Sequence, residues 1–524
     1  MEHKYCSDKF WQILSVCLMM VTAILALFFW EGHQGFSMQD EGFLWYGAQR
    51  VLMGEVPFRD FQSYDIGRYY WSAGWMLLSG NNGVVTLRVA AILFQILACC
   101  IGLSVIIRNS SRQSLFFWLL MVITLAVWMF PSYRLFDLSL PIVLIAALSC
   151  LVEQPSRSRY FLAGLIVGLL AVFGRNHGVY AAVGSISVII YLMIKRESGP
   201  GPVAAFSCWL VGVVTGFLPV LMFIAFVPGF APVFWESFRA LFEIKTTNFS
   251  LPVPWPWLVP FGKLSFLRML HDVLKGIFFL GLIIFGALGI LGIIRQRLNN
   301  KHVSSVLIAS VSLALPYAHY AYSRADVEHL ALGMPPFLLG IFGLLAKRSA
   351  GIKWTFAVLL CSATLFFALP EHPGWYCDGK QKCVAIKVDG DSLKVRSHTA
   401  HNLTALSMLA QKFAPGDRTF IAVPYYPGAY AALERKSPIW VIYASYPRSE
   451  AAQQAEIERI KVANPGFAVI DNFPLDGHKH LQFSTTHPLV EKYIRDHFER
   501  LNDLEANPAI YRSKQKKDNH ESGL

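Results

Sequence analysis

Asp40 and Glu41 stand side by side in Met38-Gln39-Asp40-Glu41-Gly42-Phe43-Leu44-Trp45-Tyr46, just after the first hydrophobic run. A carboxylate drawn toward hydrocarbon costs several kcal/mol unless it faces a cavity or a partner, so two adjacent ones at a membrane edge require a reason. One such reason is proton transfer. A positioned carboxylate can take the proton of a poorly nucleophilic hydroxyl as a new bond forms. A second carboxylate beside it disfavours ionising both and can raise one apparent pKa of the pair.

Cations of matching use lie farther along the chain. Three short polar stretches carry them: Tyr133-Arg134-Leu135-Phe136-Asp137, Gly174-Arg175-Asn176-His177-Gly178 and Tyr322-Ser323-Arg324-Ala325-Asp326-Val327-Glu328-His329. Arginine keeps its charge and forms planar, two-pronged contacts with phosphate. Arg324, Arg175, His329 and Arg134 are therefore candidates to receive a phosphate leaving group. Each also has a plainer reading. Asp40 could cap a helix over Gly42–Met53, Arg134 and Asp137 could form a local ion pair, Arg175 could reach for headgroups, and His329 could pack at a helix start. The crowding of Arg324, Asp326, Glu328 and His329 into one short stretch favours function there.

The elements that must hold these residues are membrane helices. Of 524 residues 54% are hydrophobic and only 15% charged, against about 25% charged in an ordinary soluble domain. Eleven apolar runs approach or reach the length of a span, near 10–30, 84–107, 114–130, 138–152, 160–173, 178–194, 204–227, 273–294, 303–320, 329–346 and 352–369. The first run is longer than a signal peptide's and lacks a small-residue cleavage site before Glu31, so it is expected to stay as a helix. The net charge of +12 falls in short basic groups between runs, which excludes a nucleic-acid partner and sets topology instead. Lys4/Lys9, Arg108/Arg112, Arg157/Arg159, Lys195/Arg196, Arg295/Arg297/Lys301 and Lys347/Arg348/Lys353 occupy alternate loops. That side is expected to be cytoplasmic, with Asp40-Glu41, residues 228–272 and everything beyond 370 outside.

Residues 1–370 thus read as a multi-pass membrane catalytic domain and 371–513 as a soluble α/β domain on the extracytoplasmic side. The polar residues 514–524 read as a disordered tail. In the soluble domain, Thr419–Val423, Ile439–Tyr443 and Phe467–Ile470 suit buried strands, whereas Tyr430–Arg435, Glu450–Val462 and His487–Leu501 have helical patterns. No glycine-rich phosphate loop is present. Of nine cysteines, Cys377 and Cys383 fall on the oxidising side and could close a small disulfide loop; zinc lacks a second ligand pair at suitable spacing. The Pro-Trp stretch Leu251–Trp257 reads first as an interfacial anchor.

Asp40-Glu41-Gly42, Tyr46 and Gly54-x-x-Pro57-x-x-Asp60-Phe61 together resemble the first outer loop of polyprenyl-phosphate-sugar glycosyltransferases related to protein mannosyltransferases and lipid A aminoarabinose transferases. Arg324-x-Asp326-x-x-His329-Leu330 is similar to a pattern that bacterial members carry before a late helix. The resemblance implies a GT-C type α-helical membrane fold with a C-terminal extracytoplasmic α/β domain. It implies inverting transfer of a sugar from a polyprenyl-phosphate carrier to an acceptor hydroxyl on a glycan, lipid or protein, in a bacterial inner membrane. Asp40 corresponds to the family's catalytic carboxylate and Glu41 to its neighbour, with Asp60 nearby. One departure stands out: Asp65-Ile66-Gly67-Arg68 occupies the place of a Gly-Pro-Gly-like turn, and Asp65 adds a charge there. No cofactor is specified, although Asp40, Glu41, Asp326 and Glu328 are of the type that could take a divalent cation. A transporter or flippase of a lipid-linked sugar is the alternative, but a carrier would need these charges near the bilayer midplane and repeated halves. A non-catalytic scaffold displaying the α/β domain is the third reading.

Overall fold

The computed structural model describes residues 2–194, 199–244, 249–375, 377, 383–501, 503 and 507–514. Lys195 and Arg196, the interior of the Cys377–Cys383 loop and nearly all of the polar tail lie outside the described residues. The chain divides into two compact units. One comprises Met1–Gly32, Asp65–Arg68 and Arg88–Trp375; the other comprises His33–Tyr64, Tyr69–Leu87 and Tyr376–Leu524.

Among the described residues, fourteen helices of more than ten residues precede residue 370. They are α1 (Glu2–Glu31), α2 (Asp40–Leu52), α3 (Ile66–Ser79), α4 (Val84–Arg108), α5 (Leu115–Val127), α6 (Leu135–Glu153), α7 (Arg157–Phe173), α8 (Arg175–Met193), α9 (Pro202–Phe226), α10 (Phe230–Ile244), α11 (Phe266–Leu298), α12 (Ser305–Ser323), α13 (Val327–Leu345) and α14 (Ala350–Phe367). Every apolar run read from the sequence is one of them. Among the described residues eight helices are long and apolar enough to cross a membrane by length and composition. The 13-residue α5 and the 17-residue α7 are shorter, and α12 carries Ser310, Ser312, Tyr317, His319 and Tyr320 along its length.

Where apolar side chains face lipid, helices associate through close backbone approach at small residues. In the first unit α7 and α9 meet this way. A Cβ at Gly164 or Gly168 would run into the carbonyls of Trp209 or Val213, and one at Gly212 or Gly216 into those of Phe161 or Leu165. The opposite side of α9 stays open, with Val211, Val214 and Phe226 exposed. At α4's end, the Lys9 ammonium donates to the carbonyls of Ile107 and Arg108 at 3.0 and 3.2 Å, placing a cation where the helix dipole is negative.

The second unit contains α2, most of α3 and the C-terminal elements. Strands β1 (Cys383–Val388) and β2 (Asp391–Arg396) form an antiparallel hairpin, followed by α15 (Ser397–Phe413). A disulfide joins Cys377 to Cys383 at the start of β1. Then come β3 (Ile421–Val423), α16 (Pro427–Ala432), α17 (Glu450–Ala463), β4 (Phe467–Ile470), α18 (Phe483–Thr486), α19 (Pro488–His497), β5 (Phe498–Arg500) and β6 (Ala509–Ser513). The mixed sheet runs β3-β4-β6-β5, with β3 parallel to β4 and the remaining pairs antiparallel. Its core joins Ile421, Val423, Ile457, Ile460, Ala468, Ile470, Val490 and Ile494.

Two expectations for this unit are corrected. Ile439–Tyr443 is buried but forms no strand, because side chains take its backbone donors. Glu456 accepts from the N–H of Trp440 and Val441, and Gln62 from that of Tyr443. The helix read to Leu501 ends at His497, since residues 498–500 pair with β6 instead.

Two outcomes are expected. Gly168→Val should destabilise the helical unit by about 1–3 kcal/mol through overpacking against the Val213 carbonyl, read as a lower melting temperature in detergent. His487 is 2% exposed, stacks on Phe483 with ring centroids 5.0 Å apart, and has no hydrogen-bond partner at Nε2 among the described residues. Burial, then nearby Arg448, pull its pKa from 6.5 to about 4. The unfolded chain therefore binds more protons between those values. The contribution of the neutral ring is complete above pH 6.5 and is lost as pH falls toward 4, a change on the order of 3 kcal/mol. Hydrogen exchange in β4 and α19 should accelerate across that interval, and His487→Phe should flatten the profile.

Candidate active site

The carboxylate pair opens α2. Asp40 is the first helical residue and the flanking Gln39 makes no side-chain cap, so Asp40 is not the cap that a helix beginning at Gly42 would need. Ser37 Oγ instead accepts from the Asp40 N–H at 3.0 Å. Acidic side chains in a first turn meet the positive end of the helix dipole. Asp40 is half-buried and Glu41 is 3% exposed.

The start of α2 is held by glycine-to-glycine contact. A Cβ at Gly42 would collide with the backbone of Gly428 in α16, whose N–H donates to the carbonyl of Met38 at 2.9 Å. Tyr46, one turn on, accepts from the N–H of Ser437 at 2.9 Å. Phe43 packs against Tyr64 and Tyr443, with ring centroids 4.7 and 5.9 Å away. Asp60 closes its own loop. It pairs with Arg59 at 2.8 Å and accepts from the N–H of Val56 at 2.7 Å. Burial pushes its pKa up, but Arg59 and the Val56 amide outweigh that and hold it below the usual carboxylate range.

The cations belong to the helical unit, where the structure gathers them. Arg324 lies between α12 and α13; its Nε pairs with Asp326 at 2.7 Å, and Nη1 reaches the carbonyl of Phe249 at 3.4 Å. Asp326 caps α13, accepting from the His329 N–H at 2.8 Å, and its Oδ1 lies 2.8 Å from His329 Nδ1. Burial raises the Asp326 pKa, yet His329 and Arg324 prevail and hold it at about 2. Glu328 accepts from the Tyr133 hydroxyl at 2.7 Å, which ties this stretch to the one carrying Arg134. His329 is 5% exposed, and the Tyr320 ring lies near both it and His177, at 6.3 and 5.6 Å.

Arg134 sits 4.0 Å from Asp137, but two other groups are closer to that carboxylate. Arg68 Nη2 donates to Asp137 Oδ1 at 2.9 Å, and His177 Nε2 lies 2.9 Å from the same oxygen. His177 Nδ1 is in turn 3.0 Å from the Tyr317 hydroxyl. The local Arg134–Asp137 pair is thus the weaker part of a larger buried network. Arg175 begins α8, three residues before the apolar run, and pairs with Asp65 at 2.7 Å.

Arg134, Arg175, Arg324 and His329 therefore belong to one linked set, together with Asp65, Asp326 and Glu328. Sequence reading did not single out Arg68, Tyr133, His177 or Tyr317, and took Asp137 only as a local partner of Arg134. An arginine at the start of an apolar helix was the available signal for Arg68. Among the described residues, no group of three or more His, Cys, Asp or Glu side chains is arranged to hold a metal ion.

No protein-family model and no curated protein sequence matches the chain. Solved structures do. The crystal structure of ArnT from Cupriavidus metallidurans bound to undecaprenyl phosphate aligns with a TM-score of 0.53 at 12% identity, over 94% of this chain and 97% of that one. The same protein in its apo state gives a TM-score of 0.46 at 12% identity, over the same shares. The apo oligosaccharyltransferase of Archaeoglobus fulgidus gives 0.47 at 10% identity, over 96% of this chain and 75% of that one. At such identities likeness speaks of architecture: the chain has the GT-C fold, a multi-pass helical membrane protein with small sheets in its C-terminal region.

Proposed function

We propose that the chain is an inverting glycosyltransferase. It moves a sugar from a polyprenyl-phosphate carrier to an acceptor hydroxyl on the extracytoplasmic face of a bacterial inner membrane. The observation that carries this reading is the Asp40-Glu41 pair, set at the start of a buried helix by close backbone contact, within a chain of GT-C fold. The ArnT structure of like fold is described as bound to undecaprenyl phosphate, which favours a lipid phosphate as carrier.

In the proposed reaction Asp40 accepts the proton of the acceptor hydroxyl as its oxygen attacks the anomeric carbon. The bond from that carbon to the phosphate oxygen breaks, and its electron pair leaves with the lipid phosphate. Attack from the opposite face inverts the configuration. Glu41 lies buried beside the base. Arg324, with Arg175, Arg134 and His329, supplies positive charge to the departing phosphate. A carrier with an isoprenoid tail reaches such a site from within the bilayer, which accounts for an enzyme built from apolar helices. The basic loops favour a cytoplasmic N-terminus and an external C-terminal domain.

Transfer of radiolabelled sugars from a panel of polyprenyl phosphates tests the reading directly, because a flippase or scaffold leaves the donor intact. Asp40→Asn keeps the size of the side chain but removes the proton acceptor, so turnover should fall at least about 10²-fold with little change in melting temperature. Near-normal turnover with early melting would make Asp40 a structural residue. Arg324→Lys keeps the charge and loses the fork, so donor saturation should weaken measurably, and Arg324→Ala should weaken it further. Donor titrations should move while acceptor titrations do not; identical donor curves in all three proteins would remove Arg324 from the phosphate site.

A further inference from the structure

The stretch Asp65-Ile66-Gly67-Arg68 reaches both sides of the break between α7 and α8. Helix α7 ends at Phe173 and α8 begins at Arg175, with only Gly174 between them. Arg68 serves the end of α7: its Nε and Nη2 donate to the carbonyl of Phe173 at 3.0 and 2.6 Å. Asp65 serves the start of α8: Oδ2 accepts from the backbone N–H of Arg175 at 2.8 Å, and Oδ1 pairs with its Nε at 2.7 Å. A helix ends in partial negative charge and begins in partial positive charge. Each end at this break thus meets a side chain of opposite sign, both from one four-residue stretch.

The stretch lies tight against the break. A Cβ at Gly67 would sit 2.9 Å from the carbonyl oxygen of Val172 and 3.1 Å from the Phe173 ring. Arg68 is 4% exposed and pinned by Asp137. On the α10 side, Ser237 Oγ accepts from Arg175 Nη1 at 2.6 Å, and the Phe238 ring lies 5.0 Å from the guanidinium carbon.

We propose that Asp65 and Arg68 form a two-ended clasp across Gly174, and that Asp65 is the positioning residue of Arg175. Asp65 holds the side-chain Nε and the main-chain N–H of the same residue, so it fixes the guanidinium relative to its own backbone. The rotamer freedom an arginine must lose to grip a ligand is then lost before the ligand arrives. The ligand so prepared for is an anionic lipid phosphate, and that part rests on the glycosyl-transfer reading; the clasp rests on its contacts alone.

The test uses the full-length protein in nanodiscs of phosphatidylethanolamine and phosphatidylglycerol, with radiolabelled undecaprenyl phosphate as probe. Asp65→Asn should weaken binding at least about fivefold, the low end of coupling between linked groups. Asp65→Glu, which keeps the carboxylate, should recover part of that loss. In an Arg175→Ala background Asp65→Asn should add nothing further. An equal loss in both backgrounds, or none in either, overturns the positioning role. Hydrogen exchange provides a readout independent of the donor. Exchange at the Arg175 amide should accelerate in Asp65→Asn while the later turns of α8 stay unchanged. Unchanged exchange there overturns the clasp. A wild type that binds no undecaprenyl phosphate, but whose Arg175 amide still responds to Asp65→Asn, supports the clasp and overturns the lipid-phosphate reading.

Discussion

Asp137 is a carboxylate with 1% exposure inside a helical, apolar unit, and it is tolerable there because Arg68 and His177, and at 4.0 Å Arg134, meet it. Removing an ion from water costs several kcal/mol, and taking away one partner of a buried pair typically costs about 3–5 kcal/mol. This constraint organises its surroundings. Arg68 must stay where α3 begins, His177 must lie in the first turn of α8, and Tyr317 of α12 completes the far side of the imidazole. Two of the residues proposed to handle phosphate are neighbours of this network in the chain: Arg134 precedes Asp137 by three positions and Arg175 precedes His177 by two.

The candidate residues share a device. Asp40 and Glu41 begin α2, Arg175 begins α8, and Asp326 caps α13 ahead of Glu328 and His329. Helix starts leave backbone donors unsatisfied, and polar side chains gather there without disrupting the apolar length of a span. A chain built from apolar helices has few other places to keep charge. The arrangement concentrates chemistry at helix ends and leaves the helix middles to packing.

Much of this architecture was legible in the residues. Eleven apolar runs became helices because a stretch of that length and composition has few alternatives to satisfying its own backbone. Boundaries failed where polar residues were helical: Arg175-Asn176-His177 lies ahead of the apolar run at 178–194 but forms the first turn of α8. The stretch Ile439–Tyr443 has the composition of a buried strand, yet Glu456 and Gln62 satisfy its amides, and nothing local reveals that. The Arg68–Asp137 pair was hidden for a similar reason, since its members are 69 positions apart and no spacing rule joins them. What local pattern encodes was readable; what distant side chains settle between themselves was not.

The second unit is assembled from three separated stretches, and this has a consequence for synthesis. Residues His33–Tyr64 and Tyr69–Leu87 emerge early, but the rest of their unit begins only at Tyr376. On the order of 300 residues must be translated in between, which at about 5–20 residues per second takes roughly 15–60 s. Throughout that interval α2 lacks α16, so the backbone surface at Gly42 has no Gly428 to meet and the Tyr46 hydroxyl no Ser437 amide. The helix bearing Asp40 and Glu41 is therefore among the first made and among the last to be locked in place. A ribosome stalled before Pro427 leaves a chain in which α2 has its partners from residues 33–87 but not those from α16.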